Sequence, residues 1–102
     1  MRSPQTSPIS FSASGDNILV AAQAAGPISI AGMMFTVGGA TNVIFKKGAT
    51  AFSGAMIFTA NGSSMTLPLN DEPWYRIPPG SAFVLNSSAA VAIGGIVWWI
   101  NG

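Results

Sequence analysis

The chain has no cysteine and no histidine, and only seven of its 102 side chains carry a formal charge: Arg2, Asp16, Lys46, Lys47, Asp71, Glu72 and Arg76. Without cysteine there is no disulfide framework and no thiolate nucleophile. With histidine missing as well, the usual ligands of structural zinc and the commonest acid–base side chain are gone. A net charge of +1 exerts no strong pull on nucleic acid or on an anionic membrane. Charge is also too scarce to make an ordinary surface. Soluble domains carry it on roughly a quarter of their residues, and a folded monomer of 10.4 kDa exposes about 5,400 Å². Much of this surface must be Ser, Thr, Asn and Gly, or must face other protein.

Helical periodicity is nearly absent, and period-two alternation runs throughout. Ile9, Phe11 and Ala13 alternate with serines, and Ser14-Gly15-Asp16-Asn17 marks a turn that Asp16 can cap. Ile18, Val20 and Ala22 share a face. Ile28 and Ile30 fall on even positions, whereas Met33, Phe35 and Val37 fall on odd ones. That change of phase predicts a bulge near Ala31-Gly32, of the kind that bends a strand from one sheet into another at a corner. Val43 and Phe45 continue the pattern. Phe52, Gly54, Met56 and Phe58 line one face of a longer strand, Asn61-Gly62 is a tight-turn signal, and Met65, Leu67 and Leu69 alternate up to an edge or strand end at Pro68. Trp74 to Ile77, Phe83 to Leu85 and Ala90 to Ile100 supply the last strands, with Asn86 to Ala89 as a turn.

Eight or nine short strands separated by turns are the pattern of an all-β sandwich or barrel; the expectation is an antiparallel β-sandwich, as one domain over residues 9–102. Residues 1–8, with Pro4 and Pro8, read as an N-terminal arm, extended or frayed. No apolar run of signal-peptide length opens the chain. The uncharged stretch Ala82–Ile100 is interrupted by Asn86-Ser87-Ser88, and its apolar remainder is shorter than the roughly 20 residues of a membrane span.

The residues give catalysis little to work with. Asp71 and Glu72 are adjacent and point to opposite faces of an extended chain, whereas a glycosidase pair must face each other across a sugar. Loop carbonyls with Asp71 and Glu72 can be imagined around calcium, but the plainer reading is a solvated loop. Lys46 and Lys47 suggest neither a Ser–Lys dyad nor a phosphate-binding patch, and they too point to opposite faces. The triplets Asn61-Gly62-Ser63 and Asn86-Ser87-Ser88 read as turns. An enzyme is the least expected class, and no cofactor or metal is expected.

Two aromatic features stand out. In the last strand Ile96, Trp98 and Ile100 share one face and Val97 and Trp99 the other, so both faces are apolar. One can enter the core; the other is covered by a neighbouring subunit or by a loop of the same chain. Trp74-Tyr75 lies between a polar loop and Pro78-Pro79. The pair serves either as a platform for stacking on a sugar or as an aromatic lid over one end of the sandwich.

Several segments, in order along most of the chain, resemble small jelly-roll virion proteins of tailed bacteriophages. They are Ile9-Ser-Phe-Ser-Ala-Ser-Gly-Asp-Asn-Ile-Leu-Val-Ala-Ala, Gly26-Pro-Ile-Ser-Ile-Ala-Gly, Val43-Ile-Phe-Lys-Lys-Gly, Phe52-Ser-Gly-Ala-Met and Ile93-Gly-Gly-Ile-Val-Trp-Trp. The resemblance implies a sandwich of jelly-roll type, often trimeric, mounted on a capsid or tail. Proteins of this kind decorate the outer capsid surface and clamp neighbouring subunits of the major capsid protein. On that expectation Met33, Met34, Phe35, Trp98 and Trp99 form the homo-oligomer interface, and Arg2, Ser3, Pro4 and Gln5 touch the capsid. Neither nucleic acid nor membrane is an expected partner. A tail-tip or fibre head, or a lectin-like module, is the alternative, with Trp74 and Tyr75 as its glycan contacts. A cellular module resembling tumour necrosis factor fits less well, for want of disulfides and a signal peptide.

Overall fold

The computed structural model describes residues 4–24, 26–70 and 72–101. Among them are ten strands: β1 (Gln5–Phe11), β2 (Gly15–Val20), β3 (Ile28–Val37), β4 (Thr41–Lys47), β5 (Thr50–Ala51), β6 (Met56–Phe58), β7 (Ser64–Leu67), β8 (Tyr75–Ile77), β9 (Phe83–Ser87) and β10 (Ile93–Asn101). They form a β-sandwich of two antiparallel sheets. Sheet A runs β1-β10-β3-β7, with β8 also on β3; sheet B runs β2-β9-β4-β5, with β6 also on β4. The pairings nest. β1 lies on β10, β2 on β9, β3 on β7 and β8, and β4 on β5 and β6. Within the sheets, the pairs β3–β10 and β4–β9 join these pairings to one another.

Alternation decides what enters the core. Ile9, Phe35, Val43, Leu85, Ile93 and Val97 are all buried between the sheets. Phe35 meets Phe45 edge-on at 6.2 Å, and Phe45 stacks on Phe83 at 5.5 Å. Such geometries suit the ring quadrupole and add to the burial of the rings themselves.

The expected bulge is present. Trp98 pairs with Gly32 and Trp99 with Ile30, which leaves Ala31 as the extra residue of β3. The side-chain phase therefore flips, and Ile28 and Ile30 before the bulge are buried together with Met33, Phe35 and Val37 after it. The expected corner does not follow, because β3 stays in sheet A along its whole length. Instead the bulge divides the far edge of β3 between two partners, β8 at Ile28–Ile30 and β7 at Met33–Thr36. Gly32 makes room for the chain that leaves β7. A Cβ there would lie 2.9 Å from the Leu67 carbonyl oxygen and 3.0 Å from Leu69 Cα.

Four local expectations need correction. The arm is shorter than residues 1–8, since pairing with β10 begins at Gln5, opposite Trp99. Pro8 does not prevent it because β1 is an edge strand, where a missing amide donor is tolerated. Asp16 caps no turn. It sits in β2, and Asn17 secures the turn instead by donating from its side chain to the Ala13 carbonyl at 3.0 Å. Asn86 belongs to β9, so the following turn starts later than Asn86. The long strand expected from Phe52 to Phe58 is broken into β5 and β6. Between them the Ser53 hydroxyl accepts the Phe45 amide at 2.9 Å, taking the place of a backbone acceptor.

β3 and β10 approach closely at Gly95, opposite Phe35. A Cβ at Gly95 would collide with the Met34 carbonyl and lie 2.6 Å from Phe35 Cα, whereas one at Gly94 would lie 3.8 Å from the Ile9 carbonyl oxygen, an ordinary contact. Gly95→Ala should therefore cost about 1–3 kcal/mol in urea denaturation. Gly94→Ala should stay within about 0.5 kcal/mol of the parent. Equal effects would show that the backbones are not in this close register.

Candidate functional site

The register of β10 separates its two apolar faces. Val97 and Trp99 point into the sandwich, and Trp99 Nε1 donates to Ser7 Oγ of β1 at 3.0 Å. Ile96, Trp98 and Ile100 point outward and are half-buried. Of the five residues expected at a subunit interface, Met33, Phe35 and Trp99 are therefore corrected to core residues. Met34, 46% exposed, and Trp98 lie on the outside. The physical reason is the single-residue bulge, which sets Met33 and Phe35 inward and Met34 outward.

The outward residues lie side by side. Pro8 pairs with Ile96, which pairs with Met34; Thr6 pairs with Trp98; Ile100 pairs with Ser29. Pro8, Met34, Ile96, Trp98 and Ile100 thus form one apolar stripe across the outer face of sheet A. Arg76 borders it, its Nε donating to Ser29 Oγ at 3.2 Å. Pro8 went unassigned in the sequence because only the strand register puts it beside Ile96, across which Met34 lies. Of the expected capsid contacts, Pro4 is half-buried and Gln5 is exposed at the start of β1; Arg2 and Ser3 lie outside the described residues.

The outer face of sheet B is different. Lys46 Nζ lies 2.9 Å from Asp16 Oδ2, and the Asn86 side-chain amide donates to Asp16 Oδ1 at 2.7 Å. Asn86 lies beside Asp16 in register, on the strand between β2 and β4. Val84 points outward on that strand yet is buried, because its neighbours in the two flanking strands are Ile18 and the long stem of Lys46. Ile18 and Ile57 are the exposed apolar residues here, 67% and 71%.

Trp74 and Tyr75 do not make one platform. Tyr75 lies face to face with Phe52, ring centres 3.8 Å apart and planes within 2°. One face of its ring is therefore taken by the protein itself, and the stack links β8 of sheet A to the segment after β5 of sheet B. Trp74 is 45% exposed and is held from two sides: its backbone amide donates to the Ile30 carbonyl, and its indole Nε1 donates to the Pro68 carbonyl, each at 2.8 Å. Tyr75 is thus a lid residue, and Trp74 alone offers an exposed ring.

Hydroxyl groups near β4 and β9 are engaged with one another. Ser87 Oγ donates to the Ala89 carbonyl at 2.8 Å and lies 2.7 Å from Thr41 Oγ1, which accepts the Ala89 amide at 3.2 Å. The closed set satisfies two buried side chains at the end of the sheet. Among the described residues no three His, Cys, Asp or Glu side chains gather where they could hold a metal ion. Glu72 is exposed, and Asp71 lies outside the described residues. No family model matches the chain, and no curated protein and no solved structure matches it either.

Two predictions follow from these contacts. The Asn86 hydrogen bond, and after it the Lys46 hydrogen bond, hold the Asp16 carboxyl below its ordinary pKa. The folded state then binds that proton less tightly than the unfolded state. The resulting stabilisation is complete above the ordinary carboxylate range, about pH 4, and is lost as pH falls through the lowered value. Carboxyl NMR titration should show the Asp16 midpoint rising in Asn86→Ala; an unmoved midpoint would refute the contact. For the ring stack, a double-mutant cycle of Phe52→Leu and Tyr75→Leu in urea should return a coupling of about 0.5–1.5 kcal/mol. Strict additivity would mean that the two rings do not support each other.

Proposed function

We propose that this chain is a structural virion subunit, a capsid decoration protein that assembles as a homotrimer and reinforces contacts between subunits of the major capsid protein. The observation that carries the reading is the apolar stripe of Pro8, Met34, Ile96, Trp98 and Ile100 on a domain with seven charges. Exposed contiguous apolar faces of this kind mark contacts with other protein. The nested strand pairing supports a jelly roll, in which a long antiparallel ribbon is wound into two Greek-key layers. The sequence resemblance to phage virion proteins is what favours the outer capsid surface as its location. In this reading the stripe joins copies of the chain, and the residues before β1, with Pro4 and Gln5 at its start, reach the capsid. Many clamps acting together need only a few kcal/mol each.

The protein is non-catalytic in this reading and needs no cofactor. A glycan-binding fibre head is the second reading. It rests on the exposed ring of Trp74 and is weakened by the engagement of Tyr75 with Phe52.

Light scattering on the purified protein should give three times the chain mass at low micromolar concentration. Met34→Lys combined with Trp98→Lys should give a monomer with a denaturation midpoint close to the parent's, because both side chains lie outside the core. Trimers that survive both lysines would remove the stripe from the interface. Co-sedimentation with capsids that is unaffected by deleting residues 2–5 would remove the N-terminal contact.

A further inference from the structure

A cavity of about 350 Å³ lies between the sheets on the side where sheet B ends in β5 and β6. Its walls include three methionines, Met33 from β3, Met56 from β6 and Met65 from β7, and three rings, Phe45, Phe52 and Phe83. It exists because sheet B has no continuous strand there: β5 has two residues, β6 has three, and the chain between them leaves the sheet. The Phe52–Tyr75 stack spans the gap from one sheet to the other beside it. Trp74, the most exposed of the lining residues, stands where the cavity meets solvent.

The lining sets the chemistry of an occupant. Among the described residues no charged side chain lines the cavity, so a charged ligand would be desolvated without a partner from them. Two of the polar groups at the wall are already engaged: Ser53 Oγ with the Phe45 amide and the Gly54 carbonyl, and Trp74 Nε1 with the Pro68 carbonyl. The Tyr75 hydroxyl is the other polar group of the lining. Rings and thioether sulfurs both favour a flat aromatic guest, and methionine side chains adapt to its outline. An enclosed apolar cavity of about 150 Å³ holds benzene; this space is larger and opens to solvent, so it has room for a two-ring compound.

We propose that the cavity is a binding site for a small uncharged two-ring aromatic compound, carrying at most one hydroxyl to meet Tyr75. The site lies between the sheets and is separate from the outer stripe, so it stands whether or not the assembly reading does.

The test is NMR of methionine methyl groups labelled with carbon-13, titrated with 2-naphthol. Saturable shifts are expected at Met33, Met56 and Met65, with Met34 on the outer face unmoved. Met56→Trp, which fills the cavity, should weaken binding about tenfold or more while the denaturation midpoint is kept. The absence of a saturable shift up to the solubility of 2-naphthol would overturn the proposal, and so would a shift confined to Met34. Tighter binding of decanol than of 2-naphthol would overturn the aromatic class. Shifts of the three signals on diluting the protein without probe would mean that a second copy fills the cavity, and would overturn the proposal as well.

Discussion

The antiparallel pairing of β3 with β10 governs the rest of the molecule. β10 has β1 on its other side, and β3 carries both β7 and β8, so every strand of sheet A is aligned through this pair. Its register includes one extra residue, Ala31. That residue decides that Met33 and Phe35 enter the core while Met34 faces out. The same pairing turns Trp99 inward to Ser7 and Trp98 outward. A slip of one residue would exchange the core and the outer stripe along the whole strand, because side chains alternate with period two. The close approach at Gly95 opposes such a slip, since no other residue fits opposite Phe35.

Sheet B is built on a weaker edge. β4 is flanked on one side by β9 along most of its length and on the other only by the fragments β5 and β6. Rings compensate for the missing strand. Phe45, Phe52 and Phe83 stack on one another, and Tyr75 reaches across from sheet A to continue the stack. The lid, the cavity and the half-buried methionines are consequences of one cause, the interruption at Ser53. A pair of sheets that closed on both sides would have left no such space.

Low charge shapes both outer faces of the sandwich. With Lys46 paired to Asp16 on sheet B and Arg76 bound to Ser29 at the border of the stripe, few charges are left to solvate either outer face. Apolar and small polar residues make up the difference. Desolvating such a surface against other protein costs little compared with desolvating an ordinary charged surface.

Alternation and turn residues were enough to determine an all-β sandwich, the bulge at Ala31-Gly32, the turn at Asn61-Gly62 and the strand end at Pro68. These are local properties, set by the period of side chains along a strand and by the backbone freedom of glycine and proline. The sequence also determined that β10 is apolar on both faces, but not which face is buried, because period two carries no sign. Only the pairing with β1 and β3 decided between Trp98 and Trp99, and placed Pro8 and Met34 on either side of Ile96. The extension of β1 through Pro8 was hidden for a similar reason: proline argues against a strand until the strand is known to be an edge. Tertiary structure alone also decided that Phe52 stacks on Tyr75 and that a cavity lies beside them. The two rings are far apart along the chain, and the space between them depends on where sheet B stops.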